Sequence, residues 1–141
     1  MALTNTPAWP QMPRYQTAGV ATANSATDGS GTITALLAAG VNGTRITGLY
    51  AGASATVTTT TVRFFVSHNA GSNWTYLPHL EALIPAHTLT ATTVNGGRVT
   101  VIDQNDPVDL FDLPPDAVLG FAIAVSIVGG QVIAVAMGAD Y

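Results

Sequence analysis

Residues 60–68, Thr-Thr-Val-Arg-Phe-Phe-Val-Ser-His, admit one regular structure. Thr60, Val62, Phe64, Val66 and His68 fall on one side of a period-two pattern and Thr61, Arg63, Phe65 and Ser67 on the other, whereas no helical face can be drawn through them. β-branched and aromatic side chains suit a pleated, half-buried surface. Asn69-Ala70-Gly71-Ser72-Asn73 then supplies the turn chemistry that returns the chain as a neighbouring strand. Upstream, Gly43-Thr44-Arg45-Ile46 leads into a strand over residues 45–53, and the small, polar residues 53–59 form a surface connection.

The same vocabulary runs through the rest of the chain. Residues 17–24 predict a first strand, 25–31 a turn cluster and 32–38 a second strand, although Ala35-Leu36-Leu37-Ala38-Ala39 alone is also compatible with a helical turn. Residues 74–82 predict a strand interrupted at Pro78, and residues 83–86 are broken by Pro85. Two short strands, 89–94 and 98–102, flank Asn95-Gly96-Gly97 as a hairpin, and residues 103–115 form an acidic, proline-bearing loop. Finally, residues 118–128 and 131–139 flank Gly129-Gly130, predicting a hairpin that pairs Ile127 with Val132 and Phe121 with Gly138. Both faces of that ribbon are apolar, whereas a sheet open on one side carries a polar face. Its second face, with Ile133, Val135 and Met137, therefore requires cover from the arm and loops or from another subunit.

Eight or nine short strands with turn clusters between them and no convincing helix predict an all-β fold, an antiparallel β-sandwich that is jelly-roll-like. Residues 1–15 stand apart, with Pro7, Pro10 and Pro13 at every third position around Trp9 and Met12. Proline fixes its own φ and extends the residue before it. The expected organisation is an extended proline-rich arm over residues 1–15 and one domain over 16–141.

Composition bounds the function. Charged residues make up 9% of the 141 residues against 48% hydrophobic, and a typical charged share is roughly 25%. Disordered chains have the opposite balance. Solubility then rests on Thr, Ser, Asn and Gln, or on partners covering the surface. The net charge is −4, with four Arg and no Lys, which argues against nucleic-acid binding. No Cys is present, excluding disulfides and thiolate chemistry. Neither a secretory leader nor an apolar run of about 18 residues is recognisable, so a soluble protein without membrane contact, made in the cytoplasm, is expected.

Candidate chemistry is sparse. His68, His79 and His87 have spacings that match no ligand motif. Asp103, Asp106, Asp109 and Asp112 with Asn105 form the densest oxygen cluster, but without the spacing of a calcium loop. Glu81 is the only Glu, nothing marks a glycosidase carboxylate pair, and Gly52-Ala53-Ser54-Ala55 lacks the second glycine of a nucleophile elbow. No metal, cofactor or enzymatic activity is expected. Arg45 and Arg63, on strands expected to neighbour one another, are candidates for ion pairs with an Asp across a subunit boundary, with simple solvated strand faces as the equal alternative. Trp74 and Tyr76, beside the 69–73 turn, are candidates for a sugar-stacking platform, with a core or staple role as the simpler alternative.

The string Thr22-Ala23-Asn24, Asp28-Gly29-Ser30-Gly31-Thr32, Ala39-Gly40, Gly43-Thr44-Arg45-Ile46, Val62-Arg63-Phe64-Phe65 and the closing Gly138-Ala139-Asp140-Tyr141 resembles a family of small virion structural proteins of tailed bacteriophages and prophages. The resemblance implies a structural part of the particle, in the manner of capsid decoration or cement proteins, located in the virion and without catalysis. The expectation is a homotrimer bound to the major capsid protein, with contacts from Trp9, Met12, Arg14 and Tyr15 of the arm and Ile133, Val135 and Met137 of the last ribbon. The alternative is a tail, fibre or baseplate component recognising a host glycan through Trp74 and Tyr76.

Overall fold

The computed structural model describes residues 12–103, 105 and 111–141. Among them are nine strands and no helix: β1 (Met12–Val20), β2 (Thr34–Ala38), β3 (Thr44–Ala53), β4 (Thr60–Ser67), β5 (Thr75–Ile84), β6 (Arg98–Ile102), β7 (Phe111–Leu113), β8 (Val118–Ile123) and β9 (Val132–Asp140). They form two antiparallel sheets packed face to face, a β-sandwich. One has the order β1-β9-β3-β6 with β7 also on β3, and the other β2-β8-β4-β5. We refer to them as sheet A and sheet B.

The alternation in β4 sends Val62, Phe64 and Val66 inward. There Phe64 meets Phe121 of β8, ring centroids 6.1 Å apart, and Ile46, Leu49, Ile84, Ile102 and Leu113 complete the fully buried core. Each such side chain contributes about 1.5–3 kcal/mol by leaving water. Residues 34–38 resolve as strand rather than helical turn. A register shift between Ala35 and Leu37 lets both Leu36 and Leu37 be buried, which strict alternation would forbid.

The proline-bearing run 75–84 is one continuous strand. β5 lies at an edge, where Pro78 costs no interior ladder bond, and the register against β4 shifts between Val62 and Phe64. The expected strand over 89–94 is absent. Asn95 instead donates from its amide to Ala53 O (2.6 Å) and accepts from Gly97 N (2.9 Å), tying the loop to the end of β3. The arm boundary also moves. Met12, Pro13, Arg14 and Tyr15 belong to β1, and Pro13 is accommodated because β1 is an edge strand. Pro7, Trp9 and Pro10 lie outside the described residues.

The largest correction concerns the expected closing hairpin. β8 and β9 do not pair: β8 lies between β2 and β4 in sheet B, and β9 between β1 and β3 in sheet A. Residues 124–131 cross between the sheets, held by Ala124 N to Thr61 O (2.9 Å), Val125 N to Thr60 Oγ1 (2.9 Å) and Ile127 N to Ala21 O (2.9 Å). The two apolar runs are interior strands of different sheets, each with one face on the shared core, and not a free-standing ribbon.

Candidate functional site

The two sheets expose very different outer faces. On sheet B the outward residues of β4 and β8 include Phe65 (0% exposed), Gly120 and Ala122 (1%). The connection from β1 to β2, residues 21–33, crosses this face. Asn24 N bonds Ile123 O (2.8 Å), Arg63 donates to Ser25 O (3.1 Å), and the Asn24 amide gathers the loop by donating to Ser30 O and Thr32 O. Trp74 completes the cover. A methyl group at Gly120 would lie 2.7 Å from Trp74 Cη2 and Cζ3 and 2.9 Å from Ile33 Cγ2, so only glycine lets the indole lie against the sheet. Tyr76 packs its ring 5.6 Å from that of Phe65. The two aromatics considered as a sugar platform are thus engaged in covering sheet B.

On sheet A the register brings four of the expected contact residues together. Tyr15 faces Met137, and Val135 and Ile133 follow at two-residue steps on the same side of β9. β3 adds Tyr50 opposite Val135. The Tyr50 ring lies over Gly48, where a methyl group would sit 2.9 Å from Cε2. The result is an apolar band, Ile133-Val135-Met137, between two tyrosines. Tyr15 is 65% exposed and Ile133 37%, while Val135, Met137 and Tyr50 are half-buried. Tyr50 was not foreseen, because the pairing of β3 with β9 joins residues far apart in sequence. Its one local signal is the Gly two positions earlier.

Arg14 and Met12 occupy the other side of β1. Arg14 pairs with Asp140 (2.6 Å) and donates to Ala38 O (3.2 Å), clasping the edges of the two sheets. Burial of Asp140 works against its charge, but bonds from Thr44 and Arg14 outweigh it and hold the carboxyl below its usual range. Trp9 lies outside the described residues.

The arginines expected to reach across a subunit boundary pair within the chain. β3 and β4 lie in different sheets, and each arginine has its own acid. Arg63 approaches Glu81 (3.5 Å). Arg45 makes a two-pronged contact with Asp112 (2.9 and 3.2 Å) and lies 5.9 Å from the Tyr141 ring centroid, while Tyr141 OH donates to Asp112 (2.8 Å). The Arg45 bond holds Asp112 below the usual carboxylate range, burial opposing it and Tyr141 assisting. This cluster fastens the end of the chain to β7 and β3.

His68 and His79 border an apolar recess of about 200 Å3 lined by Val66, Leu77, Phe111 and Leu113, whereas His87 is bridged through its backbone to Val57. Among the described residues no three His, Asp or Glu side chains stand close enough to share a metal ion. Asp103 accepts from Asn105, Asp112 is held by Arg45, and Asp106 and Asp109 lie outside the described residues. No helix among the described residues is long and apolar enough to cross a membrane. Comparison with protein-family models, with curated proteins and with solved structures found no match. The sheet A face can offer shape, apolar area and tyrosine hydroxyls, which is the chemistry of non-covalent contact.

Proposed function

We propose that this chain is a structural part of a tailed-phage virion, a capsid decoration or cement protein that self-associates and binds the outer shell through the outer face of sheet A. One observation carries the reading: the described residues leave the band Tyr15, Ile133, Val135, Met137 and Tyr50 open, while they cover the equivalent face of sheet B with the loop 21–33. The strand orders 1-9-3-6 and 2-8-4-5 support the finer reading of the sandwich as a jelly roll, a fold used by capsid-type proteins. The sequence resemblance supports the virion assignment.

The mechanism is thermodynamic linkage. A part that binds the assembled lattice in preference to free subunits stabilises the lattice by its binding free energy. A closed dimer or trimer presents several copies of the band at once, so modest single contacts sum to tight retention. The glycan-binding tail or fibre module draws less support, since Trp74 and Tyr76 are occupied with Gly120 and Phe65.

Quantitative mass spectrometry of purified particles tests the role. The expected result is a copy number in step with the shell subunits, lost when Val135→Glu is introduced. Absence from particles overturns the role, and a copy number matching tail parts moves it to the alternative.

A further inference from the structure

We propose that two copies of this chain join by pairing β1 with β1 of the second copy, antiparallel about a two-fold axis at Gln16, so that sheet A continues across the pair. The inference deepens the reading of the chain as a self-associating part and selects two copies over three.

The four sheet edges are unequal. β2 and β6 are five residues long, and both register with their neighbours through a shift; β5 carries Pro78 and a shift of its own. Short length, proline and irregular register are the usual ways of blunting an edge. β1 runs nine residues in unbroken register with β9, and its one proline stands next to its beginning. Beyond Val20 the edge closes, since Ala21 O is taken by Ile127 N and Ala23 N by Ser126 Oγ.

The direction of the free backbone groups follows from β9. Met137 O accepts from Thr47 Oγ1 and Gln131 O from Ser54 N, so odd-numbered residues of β9 point their backbone groups at β3 and even-numbered ones at β1. Arg14, Gln16 and Ala18, in register with Gly138, Ala136 and Ala134, therefore spend their backbone groups on β9. Pro13, Tyr15, Thr17 and Gly19 turn theirs outward; Pro13 has no hydrogen to give the Gly19 carbonyl it would face, so the ladder between copies rests on the backbone groups of Tyr15 and Thr17.

Paired with itself about Gln16, the strand is self-complementary. Tyr15 meets Thr17, Pro13 meets Gly19 and Arg14 meets Ala18, large against small in each case. The single charge on β1 is Arg14, already neutralised by Asp140, and no like charge faces it from the second copy. Gln16 meets Gln16, and an amide carries both donor and acceptor, so the contact on the axis is satisfied by identical groups. No lysine interrupts the edge. The pairing also joins the two Tyr15-to-Tyr50 bands into one continuous apolar face.

Gln16 is exposed and falls at a non-hydrogen-bonded position of the proposed ladder, where facing Cβ atoms stand about 4.5–5.5 Å apart. The chain has no cysteine, so Gln16→Cys introduces a single thiol on the axis. Native mass measurement of the full chain at micromolar concentration is expected to give a dimer. Mild oxidation of Gln16→Cys is expected to give a covalent dimer, while Val94→Cys, exposed and just ahead of β6 at the opposite edge of sheet A, stays monomeric on denaturing gels. Gln16→Lys and Gln16→Glu are each expected to weaken the dimer at least tenfold, and mixing the two to restore it. A trimeric mass, or equal cross-linking of the two cysteine variants, overturns the pairing and leaves the self-associating role standing. A monomeric mass overturns the pairing, and particle attachment then decides the role separately.

Discussion

On the outer face of sheet B, Phe65, Gly120 and Ala122 lie beneath residues 21–33 and Trp74; on the outer face of sheet A, Ile133, Val135 and Met137 lie between two tyrosines with no such cover. Both faces carry apolar outward residues. What separates them is the route of one connection: the link from β1 to β2 passes over sheet B and nothing among the described residues passes over sheet A. An apolar outward strand face is therefore not by itself a binding surface, and it becomes a candidate only when the chain's own loops leave it bare.

That contrast can be broken by mutation, most severely at its buried member. Phe65→Ala removes a ring with no exposed surface and is expected to destabilise the isolated chain by about 3–5 kcal/mol in denaturant unfolding. A loss below about 1 kcal/mol would mean that the cover over sheet B is loose. Gly120→Ala is expected to cost about 1–3 kcal/mol, because the new methyl displaces the Trp74 indole, with a matching change in tryptophan fluorescence. An unchanged emission maximum would show that the indole does not rest there.

Acid sharpens the comparison at the clasp beside sheet A. The Asp140 carboxyl lies below its unfolded value of about 3.9, so its contribution is complete above that pH and disappears as pH falls through the folded value. Asp140→Asn is expected to be less stable than the parent at pH 7 and to lose less stability on acidification from about pH 4 downward. Parallel acid curves would deny the Arg14–Asp140 clasp that role. Smallest of all in stability terms is Tyr15→Ser on the open face, expected within about 0.5 kcal/mol of the parent. Its effect belongs to association, and a large thermal shift in the monomer would mean that the open face is part of the core.

Much of this was legible in local pattern. The two alternating sets of residues 60–68 correctly marked a strand, though Phe65 and Ser67 of the second set are buried as well as the first, and the missing polar face was matched by cover from the described residues on β8 alone. Pairing was not legible. Gly129-Gly130 carries the local signature of a tight turn, yet residues 124–131 change sheets, held by bonds to Thr61, Thr60 and Ala21 that no local window of sequence contains. Proline misled in the same manner. Pro13 and Pro78 read as breaks, but both occupy edge strands, a property of the assembled sheet that no window of sequence contains. The gathering of Tyr15, Tyr50 and Met137 likewise depends on register between strands separated by most of the chain.

The insertion of β9 between β1 and β3 has a kinetic consequence. The ninth strand in sequence fills the middle of sheet A, so while the ribosome still holds it the strands made earlier have a gap where their shared neighbour belongs. Contacts of such long sequence separation place folding in the slow, roughly millisecond-to-second regime of all-β domains. Until that last insertion, β1 has no ladder to extend and the Ile133-to-Met137 band does not exist as a surface. Recognition between copies would then wait until β9 has been made and inserted, which protects the earlier strands from premature partners.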